Sequence, residues 1–361
     1  MSVSNGRMLV FVGSYAEASA DGVYTFELNE STGELIALDA VGGLKNPTFL
    51  HLDAPKRKLY ALAEIAAEDG SKASDAIAYA IDPKTGSLTE TSRGFASAGP
   101  TCHIQKSPDD RYLTFTSYHK GILSLVELTE NGEIGSLLDE KQHEGVNENA
   151  SLRDIPHLHS SFYSPDGRFM LVSDLGTDRV FTYAIDRGAN KLEQIGFTAL
   201  HRGAGPRHLV FHPNGRYVYV INELDSSVTA FAYNAESGAL SELQNISTLP
   251  ADYNGDNGCA EIAISEDGRY LYGSNRGHDS IVVYAVDGDS GKLTVVQHVS
   301  TEGGHPRHFS IVPGGDYLIA ANRDSDRNLV VFRIDKESGK LESTGRHIAL
   351  SKPVCVWAAR F

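Results

Sequence analysis

The stretch GPRHLVFHPNGRYVYVINE, residues 205–223, contains two apolar segments separated by a short polar turn. In the turn, Gly215 can adopt the positive φ that tight turns require, and Asn214 can hydrogen-bond to its own backbone. On both sides of the turn, apolar and polar residues alternate with a period near two, which is typical of β-strands. The stretch therefore predicts a β-hairpin.

The same unit recurs along the chain about every fifty residues. The recurring stretches are NPTFLHLDAPKRKLYALAE (46–64), GPTCHIQKSPDDRYLTFTSY (99–118), IPHLHSSFYSPDGRFMLVSDL (155–175), GCAEIAISEDGRYLYGSNR (258–276) and HPRHFSIVPGGDYLIAANR (305–323). A leading proline stands at positions 47, 100, 156, 206, 306 and 353, and Cys259 takes its place in the remaining unit. A regular period of this length is typical of a repeat fold and not of several independent domains.

Each unit continues with a third apolar strand and a second turn. The second turns are STGEL (31–35), KTGSL (84–88), ENGEI (130–134), GANKL (188–192), ESGAL (236–240), DSGKL (289–293) and ESGKL (337–341). Seven such turns predict seven blades of four strands each, the architecture of a β-propeller.

The two ends of the chain complement each other. The segment MLVFVGSY (8–15) resembles the second strand of a unit, so the first blade lacks its inner strand, whereas PVCVWAARF (353–361) is an inner strand with no blade after it. Pairing of these segments closes the ring and removes the open sheet edges. We therefore predict an all-β fold in which residues 1–361 form one domain, a seven-bladed β-propeller of four-stranded antiparallel blades closed by pairing of the N- and C-terminal strands.

The chain is acidic, since 47 Asp and Glu residues against 32 Lys and Arg residues give a formal net charge of −15. This excess repels nucleic acids and anionic membrane surfaces, so we expect neither as a partner. The sequence has no run of about 18 apolar residues and no signal-peptide pattern, which predicts a cytoplasmic protein. The three cysteines, Cys102, Cys259 and Cys355, form no CxxC pair, which argues against a disulfide framework and a zinc site. The sequence leaves the oligomeric state open.

Polar residues interrupt the apolar pattern at two recurring positions of the unit. Because inner strands line the channel of a propeller, residues at one position of several units converge on one face. The inner strand carries Thr101, His103, His157, His159, Arg207, His208, Glu261, Arg307 and His308, and the end of the next strand carries Tyr15, Glu64, Tyr118, Asp174, Glu223, Arg276 and Arg323. A wet channel explains part of this polarity, but converging arginines repel each other unless carboxylates or a bound anion offset them.

The residue types at these positions suit proton transfer on a small anionic substrate. The sequence has no GxSxG, HExxH or GxxxxGK[ST] motif, which excludes the serine-hydrolase elbow, the zincin site and the P-loop. The spacing of the histidines and carboxylates is too generic to predict a metal or another cofactor. Arginine holds a carboxylate or phosphate at two points and can stabilise an ester oxyanion, and histidine exchanges protons near neutral pH. These groups fit hydrolysis of a sugar lactone, or closure of a lactone by addition of a carboxylate to a double bond.

Four stretches carry a resemblance to a known family: PHLHSSFYSPDGRFMLVSDLGTDRV (156–180), GPRHLVFHPNGRYVYVINEL (205–224), AEIAISEDGRYLYGSNRGHDSI (260–281) and HPRHFSIVPGGDYLIAANR (305–323). Over essentially its whole length the chain resembles the seven-bladed β-propeller lactonase family, which includes bacterial 6-phosphogluconolactonases and fungal carboxy-muconate lactonizing enzymes. The resemblance implies a site at one end of the channel, with the catalytic histidine in the segment His157-x-His159. It implies that Glu223 assists this histidine and that Arg207 and Arg276 bind an anionic group or stabilise an oxyanion.

Position and resemblance together yield one set of candidate site residues. We predict His157, His159, Glu223 and Arg276 as catalytic residues, and Arg207, His208, Glu261, Arg307, Glu64 and His103 as substrate-binding residues. Within the histidine pair, His159 is the first choice for the general base or acid and His157 the second. Two segments depart from the family pattern: ALAEI (61–65) has Ala where the family usually has Asn before the Glu, and SYHKG (117–121) lacks the Asn-Tyr and paired glycines that are usual there.

The resemblance favours one function and leaves two alternatives. We predict a lactonase that hydrolyses 6-phosphogluconolactone in the pentose phosphate route, with a small anionic lactone or sugar phosphate as its partner. The first alternative is a lactonizing cycloisomerase that acts on a muconate-type diacid. The second is a non-catalytic propeller that presents a protein-binding face, because the fold alone does not determine function.

Overall fold

A computed structural model describes residues 6–145 and 155–361. Within these ranges the chain forms seven four-stranded antiparallel sheets, one for each predicted blade. The described ranges contain no helix, and hence none that is long and apolar enough to cross a membrane. The prediction of an all-β, seven-bladed propeller is confirmed.

The strands follow one another blade by blade. The first strands are β1 (Met8–Ser14), β2 (Val23–Asn29) and β3 (Glu34–Val41), which belong to blade 1. Blade 2 contains β4 (Leu50–Asp53), β5 (Lys58–Ala66), β6 (Lys72–Ile81) and β7 (Leu88–Ser97), and blade 3 contains β8 (His103–Lys106), β9 (Tyr112–Ser117), β10 (Ile122–Leu128) and β11 (Ile134–Gln142). Blade 4 contains β12 (Leu158–Tyr163), β13 (Met170–Asp174), β14 (Arg179–Asp186) and β15 (Lys191–Ala199).

The remaining blades repeat this order from the channel outward. Blade 5 contains β16 (Pro206–Phe211), β17 (Tyr217–Asn222), β18 (Ser227–Tyr233) and β19 (Leu240–Ser247), and blade 6 contains β20 (Gly258–Ile264), β21 (Tyr270–Arg276), β22 (Ser280–Val286) and β23 (Leu293–Ser300). Blade 7 contains β24 (Gly304–Ile311), β25 (Tyr317–Asp324), β26 (Leu329–Ile334) and β27 (Leu341–Ile348), and β28 (Pro353–Arg360) ends the chain.

The ring closes within blade 1, as predicted. Strand β28 is the inner strand of this blade and pairs antiparallel with β1, so that Phe11 stands opposite Trp357. The indole N–H of Trp357 donates a hydrogen bond to the carbonyl of Leu50 in blade 2 at 2.8 Å, which ties the closing strand to the next blade. Because both chain ends are paired inside one sheet, the ring leaves no open strand edge at the closure.

Tyrosines of the repeat connect neighbouring blades through the second turn of the unit. The hydroxyl of Tyr60 donates to the carbonyl of Gly132 in blade 3, that of Tyr219 to Gly291 in blade 6 and that of Tyr272 to Gly339 in blade 7. All three glycines have φ near +70°. The recurring glycine of the second turn therefore serves the turn geometry and also exposes the carbonyl that the preceding blade binds.

Candidate functional site

A β-bulge near the start of the inner strand positions the polar residues of blades 4, 5 and 7. In each case the inner strand has one extra residue that is left without a partner on the neighbouring strand: His159 in β12, Arg207 in β16 and Arg307 in β24. Blade 6 has the same irregularity between Cys259 and Ile262. A bulge bends its strand and redirects the extra side chain, and such bulges are common beside active sites. The repeat therefore turns the equivalent residue of several blades toward one place.

That place is a cavity of about 300 Å³ at one end of the channel, at the lower end of the size range of small-molecule sites. Five of the ten predicted site residues line it: His159, Glu223, Arg276, Arg307 and Glu64. Arg207 is buried directly behind Glu223 and contacts it. The structure does not bring His157, His103, His208 or Glu261 to the cavity wall.

One wall of the cavity is an arginine–glutamate–arginine array. Glu223 Oε2 lies 3.0 Å from Nε of Arg207 and 2.8 Å from Nη2 of Arg276. Burial favours a higher pKa for Glu223, but the guanidinium groups of Arg276, Arg207 and Arg307 outweigh it, and the pKa is lowered. Burial, followed by the two neighbouring guanidinium groups, lowers the pKa of Arg207 to about 9, so this side chain stays charged at pH 7. The array is therefore fully ionised, with two cations to one carboxylate.

The backbone holds the two arginines of this array in place. Nη1 of Arg207 donates to the carbonyl of Ala260 at 2.6 Å. Nε of Arg276 donates to Gly258 at 3.0 Å, and its Nη2 donates to Cys259 at 2.7 Å. All three acceptors belong to β20, so one inner strand orients both guanidinium groups. Rigid, oriented donors of this kind can stabilise charge that develops during a reaction.

The opposite wall carries a second charged group around Glu64. Its carboxylate lies 3.4 Å from Lys45 Nζ and 3.2 Å from Lys72 Nζ, and Glu64 and Lys72 both line the cavity. Around the cavity as a whole, cations outnumber carboxylates. The cations on its wall are Lys72, Arg276 and Arg307, and the carboxylates are Glu64 and Glu223. Behind the wall, Arg207 contacts Glu223, and Lys45 contacts Glu64 and Glu17. An acidic protein thus presents a locally cationic cavity, which favours an anionic ligand.

Arg307 differs from the other cavity arginines because, within the described part of the chain, its guanidinium forms no ion pair with a carboxylate. Among the described residues, no Asp or Glu oxygen lies within 4.0 Å of its guanidinium, which rests near the ring of Tyr15 at 5.9 Å. Tyr15 also lines the cavity. Arg307 can therefore offer both sides of its planar fork to a bound phosphate or carboxylate.

His159 is the cavity histidine, and His157 points elsewhere. His159 is 4% exposed, and its Nδ1 is buried, so Nε2 is the nitrogen left to face the cavity. Burial, followed by Arg207, holds its pKa well below the usual value, so the ring is neutral at pH 7. The Nδ1–H of His157 donates to the carbonyl of Tyr118 at 2.9 Å, and its ring stacks on that of Tyr118 with centroids 4.4 Å apart. Of the two histidines left open by the sequence, the structure favours His159.

Below the cavity, histidine and phenylalanine rings fill the channel. The ring of Phe49 lies 4.5 Å from that of His103, 5.8 Å from that of His208 and 5.5 Å from that of His308. His208 and His308 both contact the carboxylate of Glu261. His103, His208 and Glu261 lie in this buried layer and do not line the cavity, so we do not expect them to contact substrate directly.

We expect this buried layer to make folding stability sensitive to acid. Burial is the main cause that lowers the pKa values of His103, His208 and His308 in this layer and of His159 on the cavity wall above it, that of His308 to about 4. Below pH 6.5 the unfolded chain binds protons at these four sites while the folded chain does not, so stability falls from about pH 6.5 toward pH 4. Each site contributes about 1.4 kcal/mol per pH unit, and Glu261, whose pKa burial raises, offsets at most one proton.

Urea unfolding at intervals between pH 7.5 and pH 5 measures this effect. The free energy of unfolding is expected to fall by several kcal/mol as the pH is lowered from 7.5 to 5. In His308→Gln, the number of protons taken up on unfolding, which sets the slope of this free energy against pH, is expected to be smaller by about one. The matched control is His347→Gln, because His347 is exposed on β27. A flat stability profile in this range would contradict the neutral state of the four histidines.

Sequence reasoning did not single out several cavity residues. Lys72 and Ser74 belong to β6, and Cys102 and Asn46 lie in loops that precede inner strands. Cys102 stands one residue before His103, in the segment where other units have their leading polar residues, which is the signal that could have identified it. All three cysteines are free thiols. Among the described residues, no three His, Cys, Asp or Glu side chains are grouped to hold a metal ion.

Comparison with known proteins identifies close relatives over the full length. Residues 9–358 match the model of the family described as "Lactonase, 7-bladed beta-propeller". The 6-phosphogluconolactonase of Bacillus subtilis is 33% identical over 350 residues, which are 97% of this chain and 98% of that protein. The periplasmic gluconolactonase of Pseudomonas aeruginosa superposes with a TM-score of 0.90 at 30% identity, covering 98% of this chain and 99% of that one. A Lactobacillus plantarum protein superposes with a TM-score of 0.87 at 31% identity, and the superposition covers 98% of this chain and 99% of that protein.

Proposed function

Because the chain belongs to the seven-bladed β-propeller lactonase family, and is thus a lactone-hydrolysing enzyme, we propose that its substrate is 6-phosphogluconolactone and its product 6-phosphogluconate. The observation that supports this substrate is the excess of cations around the cavity, above all Arg307, which has no carboxylate among the described residues. A phosphorylated lactone carries the anionic group that such a cavity favours. The reaction belongs to the pentose phosphate route.

The proposed reaction uses residues that already face the cavity. Nε2 of His159 takes a proton from a water molecule, whose oxygen attacks the lactone carbonyl carbon. The carbonyl oxygen gains negative charge, which Arg276, backed by Arg207, stabilises. The bond from the carbonyl carbon to the ring oxygen then breaks, and the proton returns from His159 to that oxygen. Glu223 keeps the two guanidinium groups oriented, and Arg307 holds the phosphate.

The decisive experiment measures how fast the purified protein hydrolyses two lactones, 6-phosphogluconolactone and gluconolactone. We expect release of 6-phosphogluconate above the spontaneous rate of ring opening, and a lower kcat/KM for unphosphorylated gluconolactone. Equal efficiency with both lactones would favour a gluconolactonase, the activity named for the Pseudomonas aeruginosa relative. Loss of a muconate-type diene, followed by absorbance, would instead indicate a lactonizing cycloisomerase. The cytoplasmic location stays a prediction.

Replacing Arg307 tests the phosphate contact directly. Arg307→Gln is expected to lower kcat/KM for 6-phosphogluconolactone by about 10- to 100-fold, which corresponds to the loss of hydrogen bonds to a charged group. The kcat/KM for gluconolactone, which has no phosphate, is expected to change much less. Arg323→Gln is the matched control, because Arg323 is already paired with Asp324 at 2.6 Å and does not line the cavity. Equal losses on both lactones would show that Arg307 does not bind the phosphate.

A further inference from the structure

In the buried layer under the cavity, one oxygen of Glu261 accepts a hydrogen bond from His208 and also contacts His308. Nδ1 of His208 lies 3.0 Å and Nε2 of His308 lies 3.2 Å from Oε2 of Glu261. The other oxygen accepts the N–H of Ile262 at 3.1 Å. Because a carboxylate only accepts, the hydrogen bond places a hydrogen on Nδ1 of His208.

The two histidines differ at their second nitrogen. Nδ1 of His308 accepts the N–H of Val356 at 3.4 Å, so the hydrogen of the neutral ring is on Nε2, which lies 3.2 Å from Glu261. Nε2 of His208 is buried, and it has no hydrogen-bond partner among the described residues. Since Nδ1 of His208 carries the hydrogen of the neutral ring, its Nε2 presents a lone pair that can accept a hydrogen bond.

Two neighbouring histidine rings each have a buried nitrogen that, among the described residues, also lacks a hydrogen-bond partner. Nδ1 of His159 and Nε2 of His103 are buried without a partner in the described part of the chain. Their ring centroids lie 5.1 and 5.4 Å from that of His208. His103 carries its hydrogen on Nε2, because its Nδ1 accepts the N–H of Ser161 at 3.4 Å. Buried polar atoms rarely stay unpaired, and one buried water can take three such partners.

We propose that Glu261 is a positioning residue that acts through His208, so that the hydrogen of His159 stays on Nδ1 and its Nε2 faces the cavity as a base. The inference rests on the proposed function, in which His159 activates water. In this arrangement, Nδ1–H of His159 donates to one buried water, which also accepts from Nε2–H of His103 and donates to Nε2 of His208. A carboxylate that fixes the tautomer of a catalytic imidazole acts in the same way in hydrolytic triads.

The charges on the cavity side favour the same tautomer. Arg276 and Arg307 line the same cavity as His159. A lone pair on Nε2 facing these guanidinium groups is attracted to them, whereas an N–H would be repelled. The charges of the cavity therefore favour the tautomer with the hydrogen on Nδ1.

Nitrogen-15 NMR of the His159 ring tests the proposal without any substrate. With His159→Gln used for assignment, the folded wild-type protein is expected to show the hydrogen on Nδ1. Glu261→Gln and His208→Gln are expected to shift it toward Nε2. A wild-type ring with its hydrogen on Nε2 overturns the proposal, whichever lactone the enzyme hydrolyses. This measurement also decides the matter if either variant fails to fold.

The effects of substitutions on kcat and KM show whether Glu261 and His208 position His159 or only support the fold. Glu261→Gln and His208→Gln are expected to lower kcat by about 10- to 100-fold, part of the usual contribution of a general base, with KM within about twofold. His308→Gln is the matched comparison, because His308 shares the carboxylate but uses its other nitrogen on Val356, and a loss below about fivefold is expected. Equal losses at His208 and His308 overturn the proposal. A wild-type protein without lactonase activity would contradict the proposed function alone.

Discussion

Replacing His159 by glutamine is expected to lower kcat for lactone hydrolysis by about 100- to 10,000-fold, the usual contribution of a general acid or base. The glutamine amide fills a similar volume but cannot take a proton from water. KM is expected to change little, because Arg307 and the arginine–glutamate–arginine array still bind the anionic substrate. Initial rates of 6-phosphogluconate formation, corrected for spontaneous ring opening, measure the effect.

The pH dependence of the wild-type enzyme provides a second readout for His159. Burial and then the nearby guanidinium of Arg207 lower its pKa well below the usual value, so the neutral base persists as the pH falls. The rate therefore is expected to stay level from pH 8 to below pH 6.5 and to fall only where His159 binds a proton. A decline centred near pH 6.5 would contradict the neutral, buried state of this imidazole.

His157 is the matched control, because both histidines belong to the same short segment. His157→Gln removes a hydrogen bond to the carbonyl of Tyr118 and a stacking contact with its ring, but no group on the cavity wall. A loss below about tenfold is expected. If His157→Gln lowers kcat as much as His159→Gln, the assignment of the base to His159 is wrong.

The blade count and ring closure could be predicted because each depends on local sequence. Glycine-containing turns and period-two strands recur seven times, and the incomplete first blade matches the extra last strand. The direction of each polar side chain could not be predicted in the same way. It depends on a bulge that adds one residue to the inner strand, and no turn motif in the sequence marks that extra residue.

The consequence is visible in the pairs Arg207-His208 and Arg307-His308. Adjacent residues on a strand point to opposite sides, and the bulge adds a bend between the members of each pair. The arginines thus reach the cavity wall or its immediate support, whereas the histidines enter the buried layer around Glu261. From the sequence, Arg207, His208 and Arg307 are all predicted to contact substrate. In the structure, the arginines belong to the cavity wall or its support, and the histidines belong to the buried layer beneath it. The departures at residues 61–65 and 117–121 fall on the wall with Glu64 and Tyr118.

Glu223→Gln is expected to cause the largest loss of stability among cavity variants, about 3 kcal/mol at pH 7. Arg207 is only 2% exposed, and the substitution leaves its guanidinium buried beside that of Arg276 with no carboxylate between them. Removing one partner of a buried ion pair typically costs about 3–5 kcal/mol, and the retained amide oxygen favours the lower end. Urea unfolding compared with the wild type measures the difference. Activity is expected to fall with it, because the oxyanion donors lose their fixed orientation.

The sign of the pH dependence identifies the charge responsible for this loss. Because the pKa of Glu223 is lowered in the folded state, its carboxylate stabilises the fold fully above the unfolded value of about 4.3, and this contribution disappears only at lower pH. The stability difference between wild type and Glu223→Gln is therefore expected to be equal at pH 7 and pH 6, a range in which Arg207, whose pKa is about 9 in the wild type, stays charged. A difference that narrows within that range would mean that the carboxylate is not the source. Glu64→Gln, at the equivalent strand end of blade 2, is the control: its partners are exposed lysines, and a loss below about 1 kcal/mol is expected.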